Sequence, residues 1–341
     1  MSGFPDFWLH SGPRTLALLP LSWLYRGVML CRRLAYRFGL RKRHQLAVPV
    51  MVIGNIFVGG TGKTPLVIWM TRYLQSMKRR PGIITRGYGG QAEKWPQLVE
   101  PDSDPYEVGD EPVLLAQRTG CPVVASPNRV EAAEALLHQF GCDVIVSDDG
   151  LQHYALARDL EVVVIDAARG LGNGHCLPAG PLREPRRRLR GVDLVVANGG
   201  PSWITHYYFT LKLDKAHALS SDTVCDLGSF SGSQVHAVTG IGNPDRFFAA
   251  LRRFGIEVIP HPFADHHPFT KRDILFDDEL PVLMTEKDAV KCTRFADSRH
   301  WAVPAETVLT AETERMLISR VRAGLDRFRK RHNHGKTGAD T

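Results

Sequence analysis

The stretch Val50-Met-Val-Ile-Gly-Asn-Ile-Phe-Val-Gly-Gly-Thr-Gly-Lys-Thr-Pro65 leaves this chain few folds to choose from. Its first half is an apolar, β-branched run of the kind that parallel sheets bury on both faces, and Pro49 is tolerable only at the opening of such a strand. Pro65 suits the first turn of a helix, where a missing N–H costs nothing. Between them, Gly59, Gly60 and Gly62 let the backbone turn tightly enough to point successive N–H groups inward. The helix that follows adds free N–H groups and the positive end of its dipole, so the loop makes a nest for phosphate oxygens. The nest comprises Val58, Gly59, Gly60, Thr61, Gly62, Lys63, Thr64 and Pro65. Lys63 is placed for the outer phosphates and the Thr64 hydroxyl for Mg²⁺, so the ligand expected is a nucleoside triphosphate with its metal. The first glycine of the usual G-x-x-x-x-G-K-[ST] pattern falls on Phe57, and Gly59 and Gly60 supply the flexibility instead. The competing reading is a glycine turn with a solvated lysine, which requires strand, loop and helix signals to coincide by chance.

Downstream, strands and helices alternate. Residues 66–77 read as a helix, Gly82 to Thr85 as a short strand, 91–104 as loop, 121–126 as a strand and Arg129 to Phe140 as a helix. This is the rhythm of a parallel sheet with helical crossovers. Asp110 and Glu111 open a helix after Gly109, where acids are electrostatically favoured, so a capping role competes with a chemical one. The apolar run Cys142 to Ser147 ends in Asp148 and Asp149, which places carboxylates at the sheet edge where the glycine loop also lies. One of them is suited to hold the Mg²⁺ shell and the other to fix a loop or the second ligand. Further strands follow at 161–166 and 192–198. After a polar stretch, an α/β pattern restarts at Gln234, and Phe263-Ala-Asp-His-His-Pro-Phe-Thr270 follows a strand. No companion pair at zinc-like spacing accompanies Asp265, His266 and His267, so a histidine that steers a proton fits better than a metal cluster, against the alternative of a capping aspartate with surface histidines.

A length of 341 residues accommodates two domains, and 43% apolar with 23% charged residues excludes disorder for the bulk of the chain. The six cysteines are dispersed without a C-x-x-C, as expected of reduced thiols in a cytosolic compartment. The net charge of +7 is matched by the first 44 residues alone, where eight arginines and lysines face only Asp6. Trp23, Leu24, Tyr25, Val28 and Met29 recur at helical spacing beside Arg26, Arg33 and Arg37. A cationic helix with aromatic anchors suits an anionic membrane interface, with packing on the protein's own core as the alternative. Arg26 and then Arg32-Arg33 break the apolar run short of the roughly 20 residues needed to span a bilayer. The arginine-dense stretch 183–190 lacks interleaved aromatics and a recognition helix, so an anionic small molecule or headgroup suits it better than nucleic acid. The expected architecture is α/β: a P-loop NTPase-like parallel sheet with helical crossovers, a second smaller α/β lobe and an N-terminal amphipathic membrane-docking helix. The expected divisions are a docking segment at 1–44, a nucleotide-binding domain at 45–215, a lobe closing the cleft at 216–331 and a flexible tail at 332–341.

Across nearly its whole length the sequence resembles the tetraacyldisaccharide 4′-kinase family of lipid A biosynthesis. The resemblance rests on Gly54-Asn55, Val58 to Pro65, Thr85 to Gly89, Val108 to Pro112, Ser147 to His153, Leu177 to Glu184, Gly240 to Pro244, Asp265-His266 and Thr285 to Asp288. It implies a monotopic enzyme at the cytoplasmic face of the Gram-negative inner membrane that moves the γ-phosphate of ATP, with Mg²⁺, to the 4′-hydroxyl of a tetraacylated glucosamine disaccharide 1-phosphate. It further implies Asp110 as catalytic base with His266 in support and Lys63 on the phosphates. Thr64, Glu111, Asp148 and Asp149 then belong to the metal and nucleotide surroundings. The partners implied are the acylated disaccharide and an anionic membrane surface, not nucleic acid, and nothing in the sequence specifies an oligomer. A membrane-associated P-loop ATPase switch that positions a protein partner would share the loop and the basic helix, but would need no lipid acceptor.

Overall fold

A long helix, α1 (Pro13–Arg37), lies along one side of the protein before the chain reaches its first strand, β1 (Val50–Gly54). The computed structural model describes residues 5–336. All of β1 is buried, as its unbroken apolar run requires of a strand covered on both faces. The glycine loop then leads into α2 (Lys63–Ser76), followed by β2 (Pro81–Thr85), β3 (Gln97–Val99), the single turn α3 (Pro105–Val108), α4 (Asp110–Thr119), β4 (Val123–Ala125), α5 (Arg129–Phe140) and β5 (Val144–Asp148). The strands β6 (Leu160–Asp166), β7 (Leu194–Asn198) and β8 (Tyr208–Lys212) extend the sheet in the other direction. Short β3 falls within the stretch expected to be loop, where it pairs antiparallel with β4 and covers an otherwise open edge.

From β9 (Lys215–Ala218) the chain builds a second sheet with β10 (Val224–Asp226), β11 (Gln234–Thr239), β12 (Glu257–Pro262), β13 (Val282–Thr285) and β14 (His300–Val303). The helices α6 (Pro244–Arg252), α7 (Lys271–Ile274) and α8 (Glu286–Cys292) connect these strands. The chain then returns. β15 (Glu306–Leu309) adds antiparallel to β8, and α9 (Ala311–Lys336) packs Leu317, Val321 and Leu325 into the core that β1, β6 and α2 share. The finished large sheet has nine strands in the order β15-β8-β7-β6-β1-β5-β2-β4-β3, parallel from β8 to β4 with an antiparallel strand at each edge. The smaller unit is therefore an insertion, not a terminal lobe running to residue 331. The apolar face of α9 has its partner on the first sheet, and this overrides its position after the second. The same helix continues past Arg331, where a flexible tail was expected to begin, and residues 337–341 of that tail lie outside the described residues.

The register of the central strands matters for the site. Ile53 of β1 pairs with Asp148 of β5, so the carboxylate emerges beside the start of the glycine loop. Where the two sheets meet, Arg118 of α4 forms ion pairs with both Glu286, at the head of α8, and Glu306 of β15. If α9 belongs to the large-sheet core, Leu317→Ala should lower the unfolding free energy by about 2–5 kcal/mol. Urea denaturation measures it, and a loss within the range of a surface substitution would place the helix outside the core.

Candidate functional site

The glycine loop is shaped by contacts that leave no room for side chains. Gly62 has φ +78°, and a Cβ there would sit 2.1 Å from Nδ2 of Asn198, the residue that ends β7. That amide donates to the Thr61 carbonyl at 3.2 Å, while Asn55 Nδ2 donates to the Gly59 carbonyl at 3.1 Å. Phe57 does not disturb the loop, because its ring is buried with Ile56, Leu151 and Leu182 in a separate apolar cluster. The neighbouring Val58 N–H donates to the Pro181 carbonyl at 2.9 Å, so the loop is stitched to the segment from Leu177 to Glu184, which carries Pro178 and Pro181, instead of turning on a first glycine.

Lys63 lies 3.6 Å from Asp149, which also accepts a 2.9 Å bond from Arg183. Burial raises the Asp149 carboxyl, but Lys63 and Arg183 outweigh it and hold the group at about 2. Asp148 is the reverse case. It is 1% exposed, neither carboxylate oxygen has a hydrogen-bond partner, and burial with Glu111 nearby pushes its pKa up to about 7. An anion so placed wants a cation. Among the described residues no three His, Cys, Asp or Glu side chains converge into a ready-made metal cage. Asp148 and the Thr64 hydroxyl therefore fit an ion that takes its remaining oxygens from phosphate and water.

On the same unit as the glycine loop, Gly109 (φ +97°) turns the chain so that Asp110 opens α4 with its side chain inward, 4% exposed. Its Oδ1 accepts from the Glu111 N–H at 2.8 Å, and His266 Nδ1 stands 3.1 Å from both oxygens. His266 itself adopts φ +60°, an unusual backbone for a histidine that costs on the order of 1–3 kcal/mol and aims the ring at Asp110. Lys291 Nζ lies 3.4 Å from Asp110, while Lys287 Nζ reaches Glu111 at 3.3 Å and Asp265 at 3.2 Å. Burial raises the Asp110 carboxyl, yet Lys287, His266 and Lys291 together hold it well below the usual carboxylate range. The cleft between the units is lined by the glycine loop, Glu111, Arg169, Asn198, Arg246 and Lys287, with Leu211, Phe247 and Val303 forming an apolar slot.

The structure thus brings Lys63, Thr64, Asp148 and Asp149 together with Asp110 and Glu111 on the large-sheet unit, and His266 faces them from the inserted unit. Sequence reasoning missed the lysines of α8. Thr285 to Asp288 stood among the motifs of the resemblance, but Lys287 and Lys291 are four apart on one helix face, and that spacing was the available signal. It also missed Asn198, an amide closing an otherwise apolar strand, and Arg169, which donates to the Gly242 carbonyl at 2.8 Å and so spans the two units.

A parallel sheet with its glycine loop at the carboxyl edge, closed by a second unit bearing a histidine and two lysines, has the form of a P-loop phosphotransferase. The chain belongs to the tetraacyldisaccharide-1-P 4′-kinase family, whose sequence profile matches residues 14–322. It is 55% identical to the tetraacyldisaccharide 4′-kinase of Alkalilimnicola ehrlichii over 330 residues, which cover 96% of this chain and 98% of the relative. It is 51% identical to that of Nitrosococcus oceani, covering 92% of each. Among solved structures, LpxK from Aquifex aeolicus in complex with ATP superposes with a TM-score of 0.74 at 28% identity, covering 91% of this chain and 99% of that one. This membership favours the kinase over the ATPase switch.

The Asp148 environment yields a pH-dependent expectation. An unfolded aspartate titrates near 3.9 and the folded one at about 7, so between these values the native state holds the extra proton and stability falls as pH rises. Above pH 7 both states are ionised and the whole penalty is present. Asp148→Asn should therefore raise the melting temperature of the nucleotide-free protein at pH 8, and the gain should shrink to nothing towards pH 4. Equal gains at both pH values would mean that the carboxylate is not destabilised by burial.

Proposed function

We propose that this chain transfers the γ-phosphoryl group of ATP to the 4′-hydroxyl of a tetraacylated glucosamine disaccharide 1-phosphate at the cytoplasmic face of the inner membrane. The observation that carries the reading is the buried Asp110, held by His266 from the opposite unit beside a phosphate nest. The loop N–H groups and Lys63 hold the phosphate oxygens, Lys63 turning from Asp149 to do so, and the apolar slot at Phe247 takes the base. Asp148 and Thr64 would hold Mg²⁺, which would supply charge neutralisation for the phosphates when bound. Glu111 faces the same cleft, and Asp149 orients Lys63 and Arg183.

Asp110 receives the acceptor hydroxyl's proton, and His266 fixes the carboxylate and passes the proton on. With Lys287 so close, Asp110 is a weak base. Closure of the units that draws Lys287 to the phosphate oxygens weakens that field and raises the carboxylate's basicity when the acceptor hydroxyl is in place. Closing the cleft also excludes water, which would otherwise compete for the phosphoryl group.

The acceptor's acyl chains call for a membrane, and α1 is built for that. Its buried positions are Thr15 and Ser22, while Leu16, Trp23, Leu24 and Val28 face outward at 59–67% exposure, the reverse of an ordinary surface helix. Among the described residues no helix is long and apolar enough to cross a membrane, so the helix docks in the interface.

Lys63→Ala should lower turnover by about 10²-fold or more, as loss of one transition-state cation does. Thin-layer separation of labelled lipid product measures it, and near-normal phosphorylation by the folded variant refutes the nest. Asp110→Ala and His266→Ala should each reduce kcat at saturating ATP and acceptor, with the double variant little below the worse single one. Fully multiplicative losses would show that the two residues work separately.

A further inference from the structure

At the edge of the large sheet opposite the glycine loop, where β6 and β7 begin, three arginine-bearing segments distant in sequence meet. They are the end of α1, the turn Arg186–Gly191 and the last turns of α9. The cavity they enclose is lined by six arginines against three carboxylates. Those carboxylates are already engaged. Glu161 accepts from Arg158 at 2.9 Å and from Arg188 at 2.6 Å, Asp193 pairs with Arg327 at 2.7 Å, and Asp159 pairs with Arg331 at 3.0 Å. Among the described residues, Arg33, Arg37 and Arg43 have no ion-pair partner. Arg188 is 3% exposed, and its Nε, 3.4 Å from Glu184, makes no hydrogen bond. Arg37 and Arg43 are exposed and Arg33, in the field of buried Glu184, is half-buried, so three guanidiniums without ion pairs line the open side of the cavity, where an anion can reach them, and phosphate suits the planar fork of arginine best.

The surroundings indicate which phosphate. Phe38 and Leu40, directly after Arg37, are 71% and 80% exposed, continuing the apolar face that Trp23, Leu24 and Val28 begin. We infer that this cavity is a binding subsite for the headgroup phosphate of an anionic phospholipid, with Arg33, Arg37 and Arg43 closing on it from the bilayer side. The inference rests on α1 docking in the membrane interface. It adds a defined site at the far strand edge, apart from the cleft where the acceptor reacts.

The test is co-sedimentation of the full chain with phosphatidylcholine vesicles, with and without phosphatidylglycerol. The triple variant Arg33→Gln/Arg37→Gln/Arg43→Gln should lose about 10²-fold in partitioning onto the anionic vesicles and keep its binding to the neutral ones. Arg252→Gln/Arg253→Gln/Arg272→Gln removes the same charge from exposed positions on the smaller unit and should lose less than about 3-fold. Equal losses in the two triples would show diffuse attraction and overturn the subsite. Trp23→Ser/Leu24→Ser should weaken binding to both vesicle types, and a wild-type chain that binds neither would overturn the docking itself. Thermal unfolding with inorganic phosphate separates the sources: stabilisation of the wild type but not of the triple variant, without any dependence on phosphatidylglycerol, would assign the site to a soluble anion and refute the lipid. If the triple variant melts below the wild type, Arg43→Gln alone, beyond the end of α1, should still show a measurable fraction of the loss, and its absence would refute the subsite.

Discussion

A carboxylate withdrawn from water must be held by cations, and at Asp110 every such group comes from across the cleft. The residue opens a helix of the large-sheet unit, but His266, Lys287 and Lys291 all belong to the inserted unit. Removing one partner of such a cluster leaves charge buried without compensation, which costs far more than a surface pair contributes. The site is therefore also the joint. Arg118, pairing with Glu286 and Glu306, and Arg169, reaching from the large-sheet unit to Gly242, repeat the arrangement on either side of it. Neither unit has a complete site of its own.

A second chain of contacts runs from the outer face of the protein inward. Tyr25 of α1 donates to the Arg183 carbonyl at 2.9 Å, and the Arg183 guanidinium donates to Asp149, which in turn neighbours Lys63. Ser22 adds a 2.8 Å bond to the Cys176 carbonyl, just before the segment that carries Arg183. The helix proposed to sit in lipid is thus a few side chains from the lysine of the glycine loop. The position of α1 and that of the glycine-loop lysine are linked by one continuous network.

Much of this was legible in the sequence, and for a physical reason. The glycine loop, the strand-end aspartates and the Asp110 turn are all local devices, and their residues sit where backbone geometry demands them. The boundaries of α5 and the course of the parallel sheet follow from the same periodicities. What local signals could not show was partnership. An amphipathic helix such as α9 announces an apolar face without saying which sheet receives it, and its place in the chain pointed to the wrong one. Likewise Asp148 and Asp149 are neighbours in sequence with opposite electrostatic fates, because Asp149 turns into the left-handed region at φ +48° and meets two cations while Asp148 remains in the sheet. Lys291 acquires its role only when α8 is set against α4.

The return of the chain to its first sheet has a consequence for the order of assembly during synthesis. The apolar surface on β1, β6 and α2 that Leu317, Val321 and Leu325 cover leaves the ribosome early, while its cover is made last, after the whole inserted unit. At a synthesis rate of about 5–20 residues per second, the larger core must wait on the order of ten seconds with that face unsealed. The inserted unit has its own sheet and apolar core and lies wholly within that interval, so it can close first. Until α9 emerges, the nascent protein is a finished smaller unit hung on an open sheet, the stage at which it most needs protection from its neighbours.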